Sequence, residues 1–187
     1  VNSIDELNKI SNLAFERLSE WYGLHFPEFR HKEPEKYAQI VLMLDMENPD
    51  EAKLRELAGP MADVILQKAK SSVGVNFSEE DMEMVRKQAQ ILLDMYSLRS
   101  QLEEYQDRLA KRLAPNISEV AGSAVAAKLV AQAGSLKKLA GMPSSTIQVL
   151  GAEKALFKHL RAGAPPPKHG LIFQHPLIST ASKKARG

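Results

Sequence analysis

Three cations, Lys154, Lys158 and Arg161, recur four and then three residues apart. On a helix they share one face and form a basic stripe. Such a stripe neutralises phosphate, although spacing of this kind more often marks only a solvated helix face. Just beyond, Pro165-Pro166-Pro167-Lys168-His169-Gly170 sets a cation and an imidazole on a stiff extended loop. The other chemistry that residue type could support is metal binding. Without cysteine, the five histidines are its main candidates. His25 and His31 are six apart, as are His169 and His175, and His159 has no histidine near it at ligand spacing. A helix-borne zinc pair needs residues i and i+4, so no metal is expected. No phosphate-binding Walker loop, Gly-x-Ser-x-Gly elbow or dinucleotide fingerprint is present. No catalytic residue and no cofactor are therefore expected, and the chain does not read as an enzyme. The lack of cysteine excludes thiolate zinc sites, iron–sulfur clusters and disulfides, and points to a reducing compartment.

Charge is divided along the 187 residues. Up to Leu113 there are 15 Lys and Arg against 21 Asp and Glu, net −6, whereas the remainder carries 10 against Glu119 and Glu153, net +8. Lys183, Lys184 and Arg186 lie in a solvated-looking tail, and without them the second part still carries +5. That excess points to a polyanion such as nucleic acid. The longest apolar runs, such as Ile40 to Leu44, fall far short of the roughly 20 residues needed to cross a bilayer. A soluble protein with no membrane partner is expected. Residue 1 is Val and a helical pattern begins at once, so the sequence reads as a piece of a longer chain.

The elements that must position these residues are helices. Ser3 and Glu6 form a capping-box pattern, and Leu7, Ile10, Leu13, Ala14, Leu18 and Trp21 give an apolar face that ends at Gly23. A shorter helix is expected from Glu35 to Asp45 behind Pro34. From Asp50, Leu54, Leu57, Met61, Val64 and Lys68 keep near-heptad spacing, with a kink or restart at Gly59-Pro60. Ser78 then caps a long helix to Ala114, where Met84, Gln88, Ile91, Met95, Leu98, Leu102, Tyr105 and Leu109 alternate four and three. The two stretches predict a long antiparallel coiled-coil hairpin. A second row, Val85, Ala89, Leu92 and Tyr96, widens the stripe. It would serve either a second copy of the chain or the helix's own neighbours. After Pro115, Asn116 or Ser118 is expected to cap a small-residue helix from Glu119 to Ala133. A short turn follows at Ser135 to Ala140. A last helix starts at Ser144 or Ser145, carries Ile147, Leu150, Ala155, Leu156 and Leu160, and closes at Gly163. Gly151 would then sit inside it at a cost of about 1 kcal/mol, so something is expected to approach the backbone there.

The run Gly141-Met142-Pro143-Ser144-Ser145-Thr146-Ile147-Gln148-Val149-Leu150-Gly151-Ala152-Glu153-Lys154-Ala155-Leu156-Phe157, with Pro167-Lys168-His169-Gly170 after it, resembles the signature of the Nop domain family. Members include scaffold subunits of box C/D RNA-guided 2′-O-methylation particles and a spliceosomal relative that binds a kink-turn RNA. The resemblance covers essentially the whole chain, since members place a coiled-coil hairpin before the Nop domain. It implies an all-α fold with a helical and coiled-coil domain over 1–114 and a small RNA-binding Nop domain with a basic tail over 115–187. The wording Gly-Ala-Glu-Lys and the compact length are more similar to archaeal members, which implies a cytoplasmic location; a eukaryotic member would be nucleolar. Full-length members carry an N-terminal domain that binds the methyltransferase fibrillarin. Nothing after Val1 looks able to supply it, so fibrillarin is expected only through that missing part.

By the family's pattern, the Gly-Ala-Glu-Lys helix faces a composite of kink-turn RNA and its ribosomal-protein-like primary binder. Gly151 and Ala152 would let a nucleic-acid backbone come close, and Lys154, Lys158 and Arg161 would meet phosphates. Glu153 could orient a neighbouring cation, accept from a base amine or cap local backbone. Thr146 and Gln148 could bond phosphate or base edges, and Lys168 and His169 could contact phosphate or stack. Lys128, Lys137 and Lys138 are more peripheral. A second copy would pair through Ile91, Met95, Leu98 and Leu102. The expected function is an RNA-binding scaffold supporting guided rRNA modification. The alternative is a structural interaction module that acts through the coiled coil without touching RNA.

Overall fold

The computed structural model describes residues 1–182. Lys183, Lys184 and Arg186 of the basic tail lie outside them. The described residues form α-helices and short 3-10 turns with no strand, the all-α class expected. They fall into two compact units, Asn2–Gln101 and, with Val1, the residues from Leu102 onward.

In the first unit α1 (Asn2–His25) is followed by α2 (Pro34–Met43), α3 (Glu51–Ala58) and α4 (Ala62–Lys70). The long α5 (Glu79–Leu113) begins in this unit and runs into the next. The start of α1 lies at Asn2, so Ser3 is inside the first turn and not its cap. The buried face of α1 also differs from expectation. Ile4, Ser11, Leu18 and Tyr22 point inward, while Ile10, Leu13 and Trp21 are exposed. Spacings of seven and four keep these four residues in register on one side. Tyr22, Phe26, Phe29 and Tyr37 meet as an aromatic cluster, with the Phe29 and Tyr37 rings stacked at 4.7 Å. Such ring pairs add to the burial energy that closes the core.

Asp50 caps α3 by accepting from the Lys53 N–H at 3.1 Å. Gly59 and Pro60 end α3 and restart the chain through a 3-10 turn, as expected from their chemistry. The restart shifts the phase. Ala58, Ala62, Ile65, Leu66 and Ala69 are buried, whereas Met61, Val64 and Lys68 of the near-heptad row are exposed. The connection to α5 is pinned down. The Val75 N–H donates to Leu24 O at 2.8 Å, and the Glu28 carboxylate accepts from Ser72 Oγ at 2.7 Å and the Val73 N–H at 3.0 Å. Gly74 is required there, because a Cβ would lie 1.8 Å from His25 O. At the start of α5, Ser78 Oγ accepts from the Asp81 N–H and donates to its carboxylate.

Along α5 the second row is the buried one: Met82, Val85, Ala89, Leu92 and Tyr96 enter the core shared with α1 to α4. The heptad row faces out, with Met84, Ile91, Leu98 and Tyr105 exposed by 38, 53, 47 and 53%.

In the second unit, α6 (Pro115–Ala121) and α7 (Ser123–Ala133) replace the single helix expected there. Gly122, at φ +75°, breaks them apart, and neither Asn116 nor Ser118 is a cap because Pro115 itself opens α6. Then come α8 (Leu136–Ala140), capped by Ser135, α9 (Ser144–Val149), α10 (Glu153–Ala162), a 3-10 turn at Leu171–Gln174 and α11 (Pro176–Ser179). Val125, Leu129, Ala133, Leu139 and Leu150 form the core, with Ile147, Leu171 and Ile172 packed on it. Nothing on α10 is fully buried.

Candidate nucleic-acid interface

The expected last helix is two helices. Between α9 and α10 the chain bends at Gly151, whose φ of +87° is left-handed and strained for any residue with a side chain. The close approach expected at Gly151 is made by the chain itself: a Cβ built there would lie 2.5 Å from Leu171 Cγ. Its smallness is thus used in packing the bend.

Glu153 holds the bend together. Its Oε1 accepts from the Gly151 N–H at 2.8 Å and from Gln132 Nε2 at 3.0 Å. The Gly151 N–H, more than any other group, keeps the Glu153 carboxyl below its ordinary value of 4.5. Of the three roles open in the sequence, this is the local backbone cap.

The proline loop is stitched to the end of α9. Gln148 Nε2 donates to Lys168 O at 2.8 Å, the Gly170 N–H donates to Gln148 O at 2.7 Å, and the Leu171 N–H donates to Leu150 O at 2.8 Å. A Cβ on Gly170 would lie 2.0 Å from Leu150 O, so only glycine fits. Gln148 is therefore committed to the loop through both side chain and backbone. At the other end of α10, Gly163 adopts the left-handed C-cap conformation and His159 Nδ1 bonds Ala164 O.

These contacts present α10 with Lys154, Lys158 and Arg161 all exposed, one turn apart on a common face. Among the described residues none of the three has a carboxylate within ion-pair distance. Thr146 is exposed on α9, Lys168 is exposed on the loop, and Ala152 and His169 are half-buried. The His169 ring stacks on Phe173 at 6.2 Å, and Leu171-Ile172-Phe173, a stretch that reads as a short extended anchor in the sequence, is a 3-10 turn. Lys128 donates to Gln174 at 2.9 Å, and Lys137 and Lys138 are exposed on α8.

Leu160, one of the apolar residues carried by the expected last helix, is 69% exposed, and Phe157, beside Lys154 and Arg161 on the helix, is 59% exposed. The sequence signal was available in part, because a helix this rich in charge cannot bury all of its apolar residues on one narrow side. The face thus offers cations for phosphate next to apolar area for a protein surface. The remaining expected interface residues lie on α5, where Ile91 and Leu98 are exposed and Met95 and Leu102 are half-buried.

The chain as a whole is similar to known proteins. A family profile described as Nop, snoRNA binding domain, fibrillarin, matches residues 3–187. An uncharacterized NOP5 family protein of Methanocaldococcus jannaschii is 43% identical over 99% of this chain and 46% of its own length. Nucleolar protein 58 of Neurospora crassa is 39% identical over 100% of the chain and 32% of its own length. Nucleolar protein 56 of Saccharomyces cerevisiae is 38% identical over 98% and 38%. The chain spans less than half the length of each of these relatives.

Proposed function

The chain belongs to the Nop family, and from that membership we propose that it is an RNA-binding scaffold of a box C/D ribonucleoprotein, supporting guided 2′-O-methylation without performing chemistry itself. The observation that carries this reading is the exposed face of α10. Three cations with no carboxylate in ion-pair distance among the described residues stand on a helix that supplies no fully buried residue, held in place by the Gly151 bend and the stitched proline loop. Phosphate contacts from Lys154, Lys158 and Arg161 supply affinity, and the RNA is read by shape and by a protein already bound to it. Phe157 and Leu160 meet that protein, a ribosomal-protein-like binder of the kink-turn, while Thr146, Lys168 and His169 border the RNA. Gly151, Ala152, Glu153 and Gln148 act by fixing the frame.

A second copy of the chain pairs through Ile91, Met95, Leu98 and Leu102. The row of apolar residues seven apart on the outer side of α5 supports this. Residues 1–114 serve assembly and 115–187 serve RNA. Fibrillarin joins through a part of the full-length protein outside this sequence. The name nucleolar protein, carried by the eukaryotic relatives, supports a nucleolar location for a eukaryotic bearer; an archaeal bearer would be cytoplasmic.

The test is a gel-shift titration against a box C/D kink-turn RNA, with and without its primary binding protein, at two salt concentrations. A supershift only with that protein, weaker at higher salt and lost on Lys154→Glu with Lys158→Glu, is expected. Association that ignores both salt and RNA would support the pure interaction module instead.

A further inference from the structure

Of the ten residues of α10, only Glu153, Leu156 and His159 are half-buried, and the other seven are exposed. The three recur every third residue, so they form one line along the inner side of the helix. Each holds α10 in its own way. Glu153 ties the first turn to the Gly151 N–H and to Gln132. Leu156 offers only apolar contact. His159 ties the last turn, through a hydrogen bond between its Nδ1 and Ala164 O. A carbonyl oxygen only accepts, so Nδ1 carries the proton and donates.

What this bond fixes follows from the residues after it. Gly163 turns the chain at a left-handed φ of +64°, and its N–H donates to His159 O at 3.0 Å. That alone is enough to stop a helix, and it needs no ring at position 159. A Cβ built on Gly163 meets nothing within 4 Å, so the turn is held by hydrogen bonds and not by packing around it. His159 grips both sides of it, Gly163 with its backbone oxygen and Ala164 with its imidazole. Ala164 precedes Pro165, which confines it to extended backbone. Pro165-Pro166-Pro167 then carries that direction as a stiff segment to Lys168. The helix and the loop are thereby set against each other at the His159 ring.

We propose that His159 is a positioning residue for RNA, locking the last turn of α10 to the start of the proline loop so that Lys154, Lys158 and Arg161 on the helix and Lys168 on the loop meet phosphates of one RNA together. This rests on the RNA reading of α10 and assigns the residue that sets its geometry. His159 acts through those cations, since its ring belongs to the inner line of the helix and theirs to the exposed side.

The experiment titrates the whole chain against a box C/D kink-turn RNA already carrying its primary binding protein, at several salt concentrations. The native chain is compared with His159→Ala, His159→Asn and His159→Gln, each shown by circular dichroism to be folded at the assay temperature. His159→Ala should bind about tenfold more weakly, the effect of one lost hydrogen bond. Its slope of log affinity against log salt should become shallower by about one although every cation is retained, because helix and loop no longer reach phosphate at once. Asn places an amide N–H close to where Nδ1 stands and should restore both affinity and slope. Gln carries its amide one bond further out and should behave like Ala, so it decides the matter if His159→Ala does not fold. A merely structural role would lower the melting temperature and leave the slope as it is, and that result would overturn the proposal. So would native affinity in both His159→Ala and His159→Gln, or equal weakening by Ala and Asn, which would make the ring itself an RNA contact. If the native chain fails to shift the complex, the RNA reading falls and takes this proposal with it; if it binds and the Ala and Gln variants match it, only the proposal falls.

Discussion

Gly151 and Gly170 carry different burdens, and substitution separates them. Gly151→Ala places a side chain at positive φ against the flexible end of Leu171, and should cost about 1–3 kcal/mol in denaturant unfolding. At Gly170 the obstacle is the Leu150 carbonyl, which cannot rotate away, so Gly170→Ala should cost more and should loosen the proline loop. Glu153 yields a prediction in pH. Its folded-state carboxyl titrates below the unfolded value of 4.5, so its contribution is complete above that value and disappears as pH falls below it. The melting temperature of the native chain should therefore fall more steeply below pH 4.5 than that of Glu153→Gln. The sequence picked out Gly151 as a point of close approach and Glu153 as an ambiguous acid. It could not say that Leu171 and Gln132 are the neighbours, since one lies after a proline loop and the other on α7, three helices before α10.

Several helix ends were legible from backbone rules, Asp50 and Ser78 as caps, Pro115 as a boundary and Gly163 as a stop, whereas Ser3, Asn116 and Ser118 are not caps and α1 runs past Gly23 to His25. Helix faces were less so. Both α5 and the α3–α4 stretch carry two apolar rows, and a seven-residue repeat reports period without saying which side meets the core. The structure buries Val85, Ala89 and Leu92 and turns Ile91 and Leu98 outward. Leu92→Ala should thus destabilise the unit by about 2–5 kcal/mol. Met95→Glu with Leu98→Glu should leave the helix content by circular dichroism unchanged yet dissociate the proposed dimer, as read by sedimentation. A dimer that survives this pair would place its interface elsewhere. Gly122 and Gly151 were the other misreadings, each an interior glycine taken as tolerated within a helix when its left-handed φ divides one helix into two.

At the scale of the molecule, the division of charge was the clearest signal in the sequence, and it follows the division of roles proposed. If three cations of α10 meet phosphate, the logarithm of the affinity should fall against the logarithm of salt with a slope of about −2 to −3, and Lys154→Glu should make it shallower by about one. Titration at several salt concentrations measures this directly. One feature of the fold bears on how such a surface can change. The backbone leaves the core at Leu150 and returns at Leu171, and these two residues are joined by a hydrogen bond of 2.8 Å. Everything between them, α10 included, is an excursion that starts and finishes at one point, and α10 supplies no fully buried residue. It is a cassette: its amides should exchange with solvent before those of α7, and its outward residues can drift while Gly151, Glu153 and Gly170 hold its two ends to the body beneath.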